Sequence, residues 1–94
     1  MVLREVLAGY FGLAVAAASA ARVLPPVLPQ GRPRGRTIVL GCGKAAAAMA
    51  EVAASTLEGE VCGCVVTRYG HGPRQTTGAI EVIEAGHPVP DAAS

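Results

Sequence analysis

Apolar residues recur at Leu3, Val6, Leu7, Tyr10, Leu13, Ala14 and Ala17, a spacing that gathers them on one face of a helix. The pattern predicts a helix over about residues 2–23, stopped by Pro25 and Pro26. Residues 24–36 are rich in Pro, Gly and Arg and read as a linker. Thr37-Ile38-Val39-Leu40 is apolar without alternation, as a buried parallel strand requires, and it runs straight into Gly41-Cys42-Gly43-Lys44. From Lys44 to Leu57 alanine dominates and no breaker intervenes, which predicts a helix ended by Glu58-Gly59-Glu60. Val61 to Thr67 reads as a second strand, apolar on both faces, and residues 68–78 as a polar loop. Ala79 to Ala85 predicts a third strand with one wetter face. The segment Gly86-His87-Pro88-Val89-Pro90-Asp91 is a rigid loop ending in a good helix N-cap.

Strand, helix and strand over residues 37–67 make a βαβ unit, whose crossover is expected to be right-handed. The fold class is therefore α/β, with a parallel sheet and flanking helices. Three strands are fewer than an open parallel sheet normally uses, and the cap at Asp91 is followed by only three residues. The expectation is an incomplete sheet: an N-terminal piece of a longer protein, or a truncated product.

Composition strengthens that expectation. Hydrophobic residues are 51% of the chain, but alanine supplies much of this, with one Phe, two Tyr and no Trp. A chain of 94 residues has room for one small domain and buries only about 60% of its unfolded surface. Without large side chains its own core is marginal, and uncovered strand edges make the isolated chain prone to disorder or aggregation.

Net charge is +1, and the only basic cluster, Arg32, Arg34 and Arg36, lies in the Pro/Gly linker without interleaved aromatics. That is a solvated linker rather than a nucleic-acid face. Cys42, Cys62 and Cys64 are odd in number and lack a C-x-x-C spacing, so they read as small buried residues of a reducing compartment, not as a disulfide framework or a zinc site. Val6 to Ala21 is uncharged and ends in small residues, like a signal peptide, yet Arg4 is offset by Glu5 and no positive leader precedes it. The run is also shorter than the roughly 20 residues a membrane span needs. A cytoplasmic protein with no membrane partner is expected.

Three clusters hold candidate chemistry. At the first strand-to-helix turn, Gly41 and Gly43 let the backbone approach a ligand, the helix start favours an anion, and Lys44 adds a full positive charge. A lysine beside the positive end of a helix dipole is in local conflict, which an anion relieves. A tight turn with an exposed lysine accounts for the same residues. The P-loop pattern fails, because Ile38 and Ala45 stand where it requires glycine and a hydroxyl. The dinucleotide pattern is met by Gly41, Gly43 and Ala46, but the second strand ends in Thr67-Arg68 and offers no acid for a ribose. Arg68 suits a 2′-phosphate, which leaves an NADP-dependent reductase as a rival reading.

The second cluster, Thr67-Arg68-Tyr69-Gly70-His71-Gly72, follows the carboxyl end of its strand, where open α/β sheets bind ligands. Arg68 can hold a carboxylate or phosphate bidentately, and His71 can donate to an oxyanion or move a proton. A flexible loop with a surface arginine is the plain alternative. In the third cluster, Pro88 and Pro90 fix the backbone that presents His87 and Asp91, and helix capping is the simpler role for Asp91.

In this order the clusters resemble the N-terminal segment of the glycerate 2-kinases of the MOFRL-containing family. The matching stretches are Leu3-Arg4-Glu5-Val6-Leu7, Gly41-Cys42-Gly43-Lys44-Ala45-Ala46, Val65-Val66-Thr67-Arg68-Tyr69-Gly70-His71 and Glu84-Ala85-Gly86-His87-Pro88-Val89-Pro90-Asp91. Some family members bear the name hydroxypyruvate reductase. The resemblance implies a Rossmann-like N-terminal domain, a C-terminal domain absent from these residues, and an active site between the two. It implies transfer of the γ-phosphoryl of ATP to the 2-hydroxyl of D-glycerate, giving 2-phosphoglycerate, with Mg²⁺. Lys44 matches the family's active-site lysine, while its essential arginine belongs to the C-terminal part. Cys42 stands where alanine is commoner. Gly41, Gly43, Arg68, His71 and His87 are the expected substrate and phosphate contacts, no metal ligand is assigned, and the 94 residues alone are expected to be inactive.

Overall fold

The computed structural model describes residues 2–94. Three strands, β1 (Thr37–Cys42), β2 (Val61–Arg68) and β3 (Ile80–Ala85), form one parallel sheet in the order β1-β2-β3. Thr37 pairs in register with Val61 and Cys42 with Val66, while Gly63 pairs with Ile80 and Arg68 with Ala85. All three strands therefore end on one side of the sheet, with Cys42 beside Val66 and, two residues further on, Arg68 beside Ala85.

A helix, α3 (Ala46–Thr56), covers one face of this sheet. Its buried residues are Ala46, Ala47, Ala50 and Ala53, the helical spacing of one face. Side chains ending at Cβ let the helix lie close to the strands. Ala46, Ala50 and Ala53 pack with Val65 and Ile80 into the core, flanked by Val39, Ala54, Leu57, Val61 and Val82. Ile80, 2% exposed, is the largest of the fully buried side chains. The linkage from β2 to β3 has no helix. It is a loop laid over α3, where the Glu51 carboxylate accepts the backbone N–H groups of Arg74 and Gln75. Those two bonds tether the loop to α3.

The opposite face of the sheet is bare. Ile38 is 59% and Leu40 77% exposed, although such residues in a parallel strand are ordinarily covered on both sides. The N-terminal helix leaves that face open. Helix α1 (Leu3–Ala17) buries no residue, and Leu3, Leu7, Tyr10, Phe11 and Leu13 are all exposed. The accessible surface is 6886 Å², against about 5,000 Å² for a compact monomer of this mass. The radius of gyration is 16.0 Å, where about 12 Å is usual for this length.

Four expectations are corrected. The helix over 2–23 is two: Ser19 takes an extended backbone, its hydroxyl donates to the Ala16 carbonyl at 2.8 Å, and a short α2 (Ala20–Val23) restarts beyond it. A 3₁₀ turn at Pro25–Val27 then opens the linker. The cysteines are not buried, since Cys42 is exposed and Cys62 and Cys64 half-exposed, the latter two on the bare face. Strand β3 has no single wetter face, because Glu81 and Glu84 stand an odd number of residues apart and point to opposite sides. The alanine helix begins at Ala46, so Lys44 lies in the turn before it.

Among the described residues no single helix is long and apolar enough to cross a membrane, although Leu3–Ala17 and Ala20–Val27, bent by 49°, meet the length and composition together.

Candidate functional site

The carboxyl ends of the strands and the turns that follow them enclose two clefts, one on each side of the Gly43-Lys44 turn. The first, about 380 Å³, is lined by Gly43, Thr67, Arg68, Gly86, His87 and Pro88, among others. The second, about 410 Å³, is lined by Lys44, Glu51, His71, Arg74 and neighbouring small residues. The structure thus divides the expected site residues. Lys44 and His71 share one cleft, Arg68 and His87 share the other, Gly43 edges the Arg68 side, and Gly41 lines neither.

The turn itself is built from β1 outward. Gly43 has φ +121°, a conformation that side chains disfavour, and this lets the chain leave the sheet and enter α3 within three residues. Its N–H donates to the Val66 carbonyl at 3.0 Å. The expectation that this amide faces a bound oxygen is therefore corrected. Thr37 likewise donates to Glu60 at 2.8 Å, and the two-residue period puts the Gly41 N–H on the same inner side of the strand. What the turn leaves open is the next layer. Among the described residues, the N–H groups of Lys44, Ala45, Ala47 and Ala48 have no backbone acceptor, as in the first turn of any helix. Lys44 is exposed beside them. Its own carbonyl accepts the hydroxyl of Thr67, the buried polar residue of β2, at 3.4 Å.

His71 is set by the turn after β2. Its N–H donates to the Arg68 carbonyl at 3.1 Å, and its Nδ1 lies 3.4 Å from the Tyr69 carbonyl. The same loop is held from β3, where a Glu84 carboxylate oxygen accepts the Gly70 N–H at 2.7 Å. Lys44, His71 and Arg74 bring cationic or protonatable groups to one cleft, and the Glu51 carboxylate there is engaged with loop amides. The arrangement suits an anion.

In the other cleft, half-buried Arg68 presents its guanidinium from the end of β2. The wall opposite is the 86–91 loop. Gly86 is obligatory there, for a Cβ would come within 2.7 Å of the Val89 carbonyl oxygen and 2.9 Å of Asp91 Cγ. Asp91 closes the loop: its Oδ1 accepts the N–H of Gly86 at 3.2 Å and of Ala93 at 3.1 Å, while Oδ2 accepts the Tyr69 hydroxyl at 2.8 Å. The bond to Ala93, two residues on, is an Asx-type turn contact, and residues 92–93 form a turn and not the helix expected after Asp91. The Tyr69 hydroxyl, followed by the Gly86 amide, holds the Asp91 carboxyl below the ordinary aspartate range, and the same bond raises the Tyr69 phenol.

Four of these groups were not singled out in the sequence. Glu51 could have been, as the one charged side chain between Lys44 and Glu58. Thr67, Tyr69 and Glu84 act through partners 23, 22 and 14 residues away in the chain, which spacing alone does not reveal.

A family model described as a domain of unknown function, DUF4147, matches residues 6–94. An Agrobacterium vitis protein with the provisional name hydroxypyruvate reductase is 49% identical over 89 residues, covering 94% of this chain and 20% of the relative. A Pyrococcus horikoshii crystal structure superimposes with a TM-score of 0.71 at 36% identity, over 99% of this chain and 23% of its own. The crystal structure of Thermotoga maritima glycerate kinase does so at 0.69 and 31%, over 97% and 22%. The chain spans about a fifth of the length of these relatives. It belongs to the DUF4147 family, the N-terminal domain of the glycerate kinases.

Proposed function

We propose that this chain forms one wall of the active site of an ATP-dependent D-glycerate 2-kinase. The observation that carries the reading is the cleft where Lys44, His71 and Arg74 meet at the start of α3. Phosphoryl transfer asks little covalent chemistry of a protein and depends on positioning and charge neutralisation. Lys44 and the open amides beside it fit the phosphate oxygens of ATP, which supplies the transferable γ-phosphoryl. Lys44 is then the catalytic residue of this segment, and His71 donates to the same oxygens. Arg68, in the neighbouring cleft, holds the glycerate carboxylate through its two parallel N–H groups, with His87 on the facing wall. Gly43 keeps the turn between the clefts narrow, and Gly41 leads the strand into it.

Mg²⁺ is the metal the family resemblance implies. Among the described residues no group of three or more His, Cys, Asp or Glu is placed to hold an ion, so these residues do not by themselves fit it. The rest of the site, including a second domain, is proposed to come from chain of the kind that makes up the other four-fifths of the relatives, and the three free cysteines suit a reducing cytoplasm.

A second reading, NADP-dependent reduction of hydroxypyruvate, draws on the name of the Agrobacterium vitis relative and on Gly41, Gly43 and Ala46. A chimera in which these 94 residues replace the matched part of Thermotoga maritima glycerate kinase separates the two. Formation of 2-phosphoglycerate from ATP and D-glycerate is expected. Oxidation of NADPH by hydroxypyruvate, without phosphoryl transfer, would establish the reductase instead.

A further inference from the structure

The Arg68 cleft has one wall fixed by the sheet and one wall that is a loop. Arg68 stands at the end of β2 in register with Ala85. His87, Pro88 and Pro90 face it from a segment outside the sheet. What ties that segment down is short. Tyr69 is the residue after Arg68, and its N–H donates to the Ala85 carbonyl at 3.3 Å, which fixes its backbone to β3. Its hydroxyl then reaches Asp91 Oδ2 at 2.8 Å. The other oxygen of that carboxylate accepts the Gly86 and Ala93 amides, and the Asp91 N–H donates to the Ser94 hydroxyl at 3.0 Å. One carboxylate thus fastens both ends of the His87 loop, and one phenol fastens that carboxylate to the strand that ends in Arg68.

We infer that Tyr69 and Asp91 are positioning residues that set the distance between the Arg68 guanidinium and the His87 loop, and thereby select a short hydroxy-carboxylate over a bare anion. The inference rests on the reading of the Arg68 cleft as the glycerate carboxylate site. Its physical basis is preorganisation: a ligand that touches both walls loses affinity when one wall is free to move, and a ligand that touches only Arg68 does not. Gly86 belongs to the same device, since its lack of a Cβ lets the loop fold back on Asp91. No contact of Tyr69 or Asp91 with substrate is required.

The test uses the chimera with Thermotoga maritima glycerate kinase as the wild type, and its Tyr69→Phe and Asp91→Ala variants, with amide exchange and chemical shifts read at Gly86 and His87 and titrations with D-glycerate and with acetate. Tyr69→Phe is expected to speed exchange of the Gly86 amide about tenfold and to weaken D-glycerate about fivefold, with acetate unchanged. Adding Tyr69→Phe to Asp91→Ala should change little further, because the carboxylate that the phenol binds is already gone. A wild-type Gly86 amide without protection, or Gly86 and His87 signals indifferent to Tyr69→Phe, overturns the clamp. Equal weakening of glycerate and acetate overturns the selectivity. Should the wild type bind no D-glycerate, the carboxylate reading of the cleft fails, while the Gly86 and His87 signals still decide whether the clamp exists.

Discussion

The Thr67 hydroxyl donates to the Lys44 carbonyl at 3.4 Å, joining the end of the second strand to the turn that carries the lysine. Thr67 is only 3% exposed, so its hydroxyl has little solvent to turn to. Thr67→Val keeps the shape and deletes the donor. The bond is long, which puts the expected loss at the low end for a buried hydrogen bond, about 0.5–1 kcal/mol in denaturant unfolding. A loss several times larger would mean that the hydroxyl serves more than this one carbonyl.

On the proposed kinase reading, Lys44 bears on chemistry and not on folding. It is exposed, outside the helix, and its side chain is no part of the core. Lys44→Ala in the Thermotoga maritima chimera is therefore expected to lower kcat by two or more orders of magnitude, the range seen when a charge aimed at a transition state is removed, with an unchanged melting midpoint. Turnover equal to that of the parent chimera would remove Lys44 from the mechanism.

How much of this was legible beforehand differs from element to element. The strands and the alanine helix follow from apolar runs and the lack of breakers, and each was placed to within two residues. The site was legible only by cluster. Spacing could bring Gly43 and Lys44 to a turn at the carboxyl end of a strand, but it could not show that the Gly43 amide is taken by Val66, or that Lys44 and Arg68 open into different clefts. Those facts depend on register between strands, and register arises from pairing across the sheet. The break at Ser19 was missed for a local reason. Serine is tolerated in helices, and its hydroxyl bonding back to Ala16 at the break is not a signal that spacing carries.

Register also creates the sharpest steric constraint. Gly63 on β2 faces Val39 on β1, and a Cβ at Gly63 would collide with the Val39 carbonyl, in backbone that cannot give way without breaking the pairing. Its φ of +151° is unfavourable for other residues as well. Gly63→Ala is expected to cost about 3 kcal/mol or more, enough to unfold a sheet of three strands. Far-ultraviolet circular dichroism reads this directly. A folded Gly63→Ala chain with native stability would contradict the β1–β2 register.

The Tyr69–Asp91 bond predicts a pH window for the 86–91 loop. Asp91 titrates below its ordinary range in the folded chain, so its contribution is present above that range and is lost as pH falls below about 4. Tyr69 titrates above its ordinary range, so its contribution is present below that range and is lost as pH rises beyond about 10. Both partners are solvent-exposed, so the effect belongs to the loop and not to global stability. Gly86 amide exchange, corrected for intrinsic pH dependence, should be slowest between these limits, and Tyr69→Phe should abolish its alkaline edge.

The excess of surface has a source that can be removed without touching the sheet. Helix α1 presents Leu7, 56% exposed, and Phe11, 72% exposed, four residues apart on one face, and it buries nothing. Burying such side chains against any apolar surface gains about 1.5–3 kcal/mol each, which drives self-association when no covering layer is at hand. Leu7→Glu with Phe11→Glu puts two charges on that stripe while leaving Ala50, Val65 and Ile80 untouched. The expected outcome is less light scattering at high concentration and unchanged unfolding of the sheet. If α1 instead holds the fold together, the double variant melts early, because the glutamates would then have to enter a core that the structure shows they never meet.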